Sequence, residues 1–131
     1  MDFSGSCFFA EDVPNSNFPH FIVIISKASP DNQALLVPIS SIKPNKYYDN
    51  ACVLNEKDIV ADNEKNVLHK PSFIRYQWAQ EIDIKSIIDK KFNGIYHYQC
   101  KVSKDVLLRI QKGAKKSKEL VPYFKKYFDF F

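Results

Sequence analysis

Phe21 to Ser26 reads Phe-Ile-Val-Ile-Ile-Ser, a continuous apolar run rich in β-branched residues, entered through Pro19-His20 and left through the polar cluster Lys27-Ala-Ser-Pro-Asp-Asn-Gln33. The run is too short for an ordinary helix, and β-branching favours extended backbone, so it predicts a strand buried on both faces. Pro30, Asp31 and Asn32 predict a turn, and Ala34 to Ser40, "ALLVPIS", predicts the antiparallel partner. Pro38 has no N–H to give a ladder, which places that partner at a sheet edge or puts a bulge in it.

The rest of the chain adds shorter elements. Ala51 to Leu54 predicts a strand, and Asn55 to Asn66 is polar and irregular. Ser72 to Ala79 alternates, with Ile74, Tyr76 and Trp78 on one side and Phe73, Arg75, Gln77 and Ala79 on the other. Ile84, Ile87 and Ile88 recur at helical spacing before Asn93-Gly94, which predicts a short helix or turn, and Ile95 to Val102 predicts another strand. Ser103 caps a helix expected to stop at Gly113, and Ser117 caps a weaker one into "KELVPYFKKYF". No helix separates the early strands, so parallel pairing is disfavoured. The expected fold is a single α+β domain over residues 1–131: a small, mostly antiparallel, partly open barrel with strands over about 19–102, and one or two helices over 103–131.

Charge is unevenly spread. Met1 to Lys65 holds five lysines against nine carboxylates, whereas Asn66 to Phe131 holds fourteen Lys and Arg against six. The basic half attracts phosphate, and His69, Arg75, Lys101, Lys104, Arg109, Lys112, Lys115 and Lys116 are its candidate nucleic-acid contacts; a solvated helix face is the plainer reading of the same charges. With three glycines in the whole chain, no glycine-rich phosphate loop can be built. Cys7, Cys52 and Cys100 are odd in number and show no metal-ligand spacing, as expected of reduced thiols in a cytoplasmic protein that binds no metal or cofactor. No apolar run approaches the roughly 18 residues of a membrane span, and the N-terminus has no basic leader, so no membrane partner is expected.

The candidate chemistry centres on histidine. His20 stands at the mouth of the first predicted strand, and His69 comes with Lys70 and Ser72 around Pro71. Either imidazole suits proton transfer near neutral pH, and each is equally readable as a strand-end side chain satisfied by backbone. An acid or base beside phosphate-stabilising cations is what RNA needs to be cut by its own 2′-hydroxyl, without a cofactor. In that reading His20 or His69 moves the proton, Lys70 offsets phosphate charge, and Ser72 and Tyr76 donate orienting hydrogen bonds. Tyr47, Tyr48, Phe73 and Trp78 are available to stack unpaired bases of single-stranded RNA, or to fill a core. The competing class is a non-catalytic barrel that binds nucleic acid or a partner protein through its basic C-terminal third.

The succession "HFIVIIS", "ALLVPISS", "YYDNACVL" and "HKPSFIRYQWA", over roughly Pro19 to Ala79, resembles small bacterial and phage-borne proteins related to the MazF/PemK-like toxins of toxin–antitoxin systems. The tail "LLRIQKG…S…VPYFKKYF" matches more loosely. The resemblance implies an SH3-like barrel with added helices, endoribonuclease activity, dimerisation and a cognate antitoxin. The positions that look family-like are His20, Asp49, Cys52, Lys70, Ser72 and Tyr76. The arginine-bearing first strand and the Gly-Pro or Arg-Pro elements of the better-known toxins are not present.

Overall fold

The computed structural model describes residues 1–13 and 15–128. Its strands are β1 (Ser6–Ala10), β2 (His20–Ile24), β3 (Gln33–Ser41), β4 (Val53–Leu54), β5 (Ser72–Ile74), β6 (Gln80–Asp83) and β7 (Tyr96–Lys101). Its helices are α1 (Ile84–Phe92) and α2 (Lys104–Lys116), with 3-10 segments at Tyr76–Trp78 and Pro122–Phe128. The protein is therefore α+β, and every strand pairing is antiparallel. The strand order is β4-β5-β3-β2-β1-β7, with β6 also on β3, so the sheet is open and β4 and β7 end it without pairing to each other.

Alternation explains why β2 and β3 form the centre. Ile22, Ile24, Ala34 and Leu36 enter one apolar cluster with Phe8, Ile82 and Ile87 of α1, while Val23, Leu35 and Val37 enter the other with Ile110 and Ala114 of α2. Both faces are thus covered, and each fully buried Ile contributes about 1.5–3 kcal/mol of apolar transfer. Asn32, at φ 60°, turns the hairpin, and the Ser26 hydroxyl accepts from the Leu35 N–H at 2.8 Å. β1, which the sequence pattern did not single out, lies between β2 and β7.

Pro38 corrects the expectation of an edge. β3 is central, and its missing donor falls where its neighbour is interrupted: β5 pairs with Ile39–Ser41, β6 pairs with Gln33–Leu36, and between them the Pro38 carbonyl accepts from the Arg75 N–H at 2.9 Å. A residue's N–H and C=O point to the same side of a strand, so the proline presents its blank to the chain bend and not to β2. The predicted strand over 72–79 is accordingly two pieces, β5 and a 3-10 turn, and β6 starts just beyond it at Gln80.

The helices follow their caps. Asp83 accepts from the Lys85 N–H at 2.8 Å, and Ser103 accepts from the Val106 N–H at 3.2 Å with Asp105 in the first turn. Gly113 does not stop α2, which runs on to Lys116. A Cβ there would meet the Tyr76 hydroxyl, Cys52 Cβ at 2.9 Å and Ala51 O at 3.0 Å, so this glycine serves close packing. The second expected helix is a 3-10 segment, and residues 129–131 of the expected helical part lie outside the described residues. Among the described residues no helix is long and apolar enough to cross a membrane.

Candidate nucleic-acid cleft

A cleft of about 590 Å³ opens where β2 begins and β3 ends, walled by the β1–β2 connection, the loop after β3 and the bend after β5. The loop after β3 is built on Lys43-Pro-Asn-Lys46, with proline second and Asn45 third at φ 60°. That is the residue pattern of a type II turn, closed by the Lys46 N–H on the Lys43 carbonyl at 3.4 Å. It leaves Lys43 and Lys46 at either end of the turn, both lining the cleft beside Tyr47 and Tyr48.

The bend after β5 supplies the third cation. The Trp78 N–H donates to the Arg75 carbonyl at 3.0 Å, and in a 3-10 turn residues three apart lie on one side. The Arg75 guanidinium consequently lies 4.0 Å from the Trp78 ring centroid and 5.5 Å from that of Phe73, stacked on aromatic faces with the Glu119 carboxyl near enough to feel its charge. Opposite, the His20 ring meets Trp78 edge-on at 5.9 Å, and its Nδ1 donates to the Phe18 carbonyl at 3.0 Å. A carbonyl can only accept, so this bond puts the proton of the neutral ring on Nδ1 and leaves Nε2 for proton transfer.

Among the described residues the lining holds Lys43, Lys46, Arg75 and His20 and no carboxylate. Phe18 and Tyr47, on the rim, are 72% and 85% exposed. Ser40 lines the same cleft with a buried hydroxyl that has no hydrogen-bond partner among the described residues. Cations and open aromatic faces suit a ligand with phosphates and bases.

The other sequence candidates lie elsewhere. His69, Lys70 and Ser72 border a neighbouring depression of about 250 Å³ that shares Phe21, Ile39 and Ser41 with the cleft. His69 and Lys70 are exposed, whereas Ser72 is buried and its hydroxyl donates to the Lys70 carbonyl at 2.9 Å. Tyr76 is wholly buried, and its hydroxyl donates to the Ile110 carbonyl of α2 at 2.6 Å. Burial first, with Cys52 and Asp49 nearby, pushes its phenol far up, so it is a strut between the bend and α2, facing away from the cleft's ligand space. Cys52 is buried too, its thiol pushed up to about 11 chiefly by burial. Asp49 accepts from the Ala51 N–H at 3.0 Å and the Ser117 hydroxyl at 2.6 Å, tying the end of α2 to the loop.

Two of the C-terminal candidates already have oxygen partners. Arg109 Nη2 pairs with Asp58 at 2.9 Å, and Lys101 Nζ donates to the Ser4 carbonyl at 2.8 Å. Lys104, Lys112, Lys115 and Lys116 are exposed along α2. Sequence reasoning missed Lys43, Lys46 and Phe18; the signal was there in "SIKPNKYY", two lysines bracketing a Pro-Asn turn before two tyrosines. No group of three or more His, Cys, Asp or Glu is placed to hold a metal among the described residues. No protein-family model matches the chain, and no curated protein matches its sequence.

Proposed function

We propose that the protein is a toxin-type endoribonuclease that takes single-stranded RNA in this cleft. The observation that carries the reading is the Arg75 guanidinium stacked on Trp78 beside His20, in a lining that has cations and aromatics and no carboxylate. In the reaction the substrate's 2′-oxygen attacks the adjacent phosphorus and the P–O5′ bond breaks, leaving a cyclic phosphate and a 5′-hydroxyl. His20 Nε2 accepts the 2′-proton, water protonates the departing oxygen, and Arg75 with Lys43 or Lys46 stabilises the phosphorane charge. Tyr47 and Phe18 stack the flanking bases. Lys70 stands at the margin as a phosphate contact, and kinship with MazF/PemK-like toxins, an SH3-like barrel, a homodimer and a cognate antitoxin belong to the same proposal.

Incubation with varied single-stranded RNAs in EDTA tests it, with the products read for cyclic phosphate ends. Wild type cleaves, and Arg75→Ala and His20→Ala each lose about 100-fold in rate. Binding without cleavage by wild type would support instead the non-catalytic module, and neither binding nor cleavage would end both.

A further inference from the structure

Cys7 and Cys100 are direct partners in the β1–β7 ladder, and both side chains enter the apolar cluster beneath α2. Opposed residues of antiparallel strands hold their Cα atoms about 4.5–5.5 Å apart, inside the ~4.4–6.8 Å that a disulfide spans. The register shifts between Cys7 and Phe8, where Phe8 pairs with Tyr98, so Gln99 is a bulged residue beside the pair. β7 ends the sheet, and a terminal strand beside a bulge opens locally at less cost than a central one.

We propose that Cys7 and Cys100 are a redox dithiol, a modification site that closes to a cross-strand disulfide on exposure to peroxide. The chemistry balances. The Cys100 thiolate attacks one oxygen of hydrogen peroxide and the O–O bond breaks, giving a sulfenic acid and a hydroxide that leaves as water with the thiol proton. Cys7 then attacks the Cys100 sulfur, the S–O bond breaks, and its proton leaves with the second water. Two thiols are oxidised and one peroxide is reduced. Cys100 reacts first because it lies on the terminal strand beside the bulge, where local opening reaches it before Cys7, which β1 holds between β2 and β7; the hydrogen bond shared with Cys7 also lowers the Cys100 thiol. Cys52, its thiol pushed up by burial, is left out.

The test treats the native protein with hydrogen peroxide, unfolds it, blocks free thiols with N-ethylmaleimide and weighs it. Wild type, with three cysteines, takes one adduct instead of three, and its digest contains the peptide pair joined through Cys7 and Cys100. Cys52→Ser closes equally and takes none, and the oxidised wild type gains about 5 °C in Tm, reversed by dithiothreitol. Three adducts on peroxide-treated wild type, or a linkage that runs through Cys52, overturns the proposal. Because the linked peptide is read from wild type, a Cys7→Ser or Cys100→Ser variant that misfolds does not spoil the result.

Discussion

The cleft and the C-terminal third both carry positive charge, and they use it differently. The C-terminal third has the higher density, yet Arg109 is held by Asp58, Lys101 by the Asp2 and Ser4 carbonyls, and Lys125 by those of Lys115 and Ser117. The cleft has three cations, and the one whose contacts are most definite, Arg75, rests on aromatic faces. A cation that already has an oxygen partner must surrender it to bind a phosphate, whereas one held by stacking keeps its hydrogen-bond donors for the ligand. Charge density along a chain is thus a poor guide to where an anion binds.

The comparison breaks most readily at its two arginines. Arg75→Ala is expected to cut RNA cleavage about 100-fold while leaving the urea midpoint almost unmoved. Arg109→Ala is expected to do the reverse: cleavage unchanged, and about 1–3 kcal/mol lost in urea unfolding because Asp58 loses its partner. Equal losses of activity in the two would dissolve the distinction. Gly113→Ala probes the strut that sets the bend, and is expected to cost about 1–3 kcal/mol because its methyl meets Tyr76, Cys52 and the Ala51 carbonyl. If urea unfolding shows no loss, α2 does not press on Tyr76 as described.

Smaller effects sharpen the same contrast. Lys43→Ala and Lys46→Ala are each expected to weaken single-stranded RNA binding severalfold and to lower the salt slope by about 0.7, whereas Lys104→Ala and Lys112→Ala leave the slope near its wild-type value in fluorescence anisotropy. Glu119 lies at the seam of the two regions, its carboxyl raised by desolvation first, then by Asp49, with Arg75 acting the other way. A raised carboxyl favours the protonated fold, so its contribution is present below the ordinary glutamate value and is lost as pH rises through the folded one. Glu119→Gln should therefore flatten the fall in unfolding free energy as pH rises above the ordinary glutamate range, by only about a few tenths of a kcal/mol because the group is largely solvated, read by urea unfolding at a series of pH values.

Much of the framework was legible before any coordinates. The two-faced burial of Ile22 to Ile25 and the cap at Ser103 follow from short-range rules of branching and side-chain hydrogen bonding, and the spacing of Ile84, Ile87 and Ile88, which left a short helix or a turn open, is that of a helix. β1 was not legible: five residues near the N-terminus become a strand because β2 and β7 pair with both of its edges. In the candidate site, His20 and Arg75 were picked out and do share the cleft, while Tyr76 was picked out and became a strut. Strict alternation through 72–79 put Tyr76 with Trp78; the 3-10 bend opposite Pro38 put Trp78 with Arg75 instead.

The amino-acid order alone determined which stretches extend, which coil and where the helices are capped, because those choices rest on interactions within a few residues. Which cations already have oxygen partners, which tyrosine braces α2, and which cysteine meets another were decided only by the tertiary structure. Each depends on a partner dozens of residues away, Asp58 for Arg109, the Ile110 carbonyl for Tyr76 and Cys100 for Cys7, and packing alone brings them together.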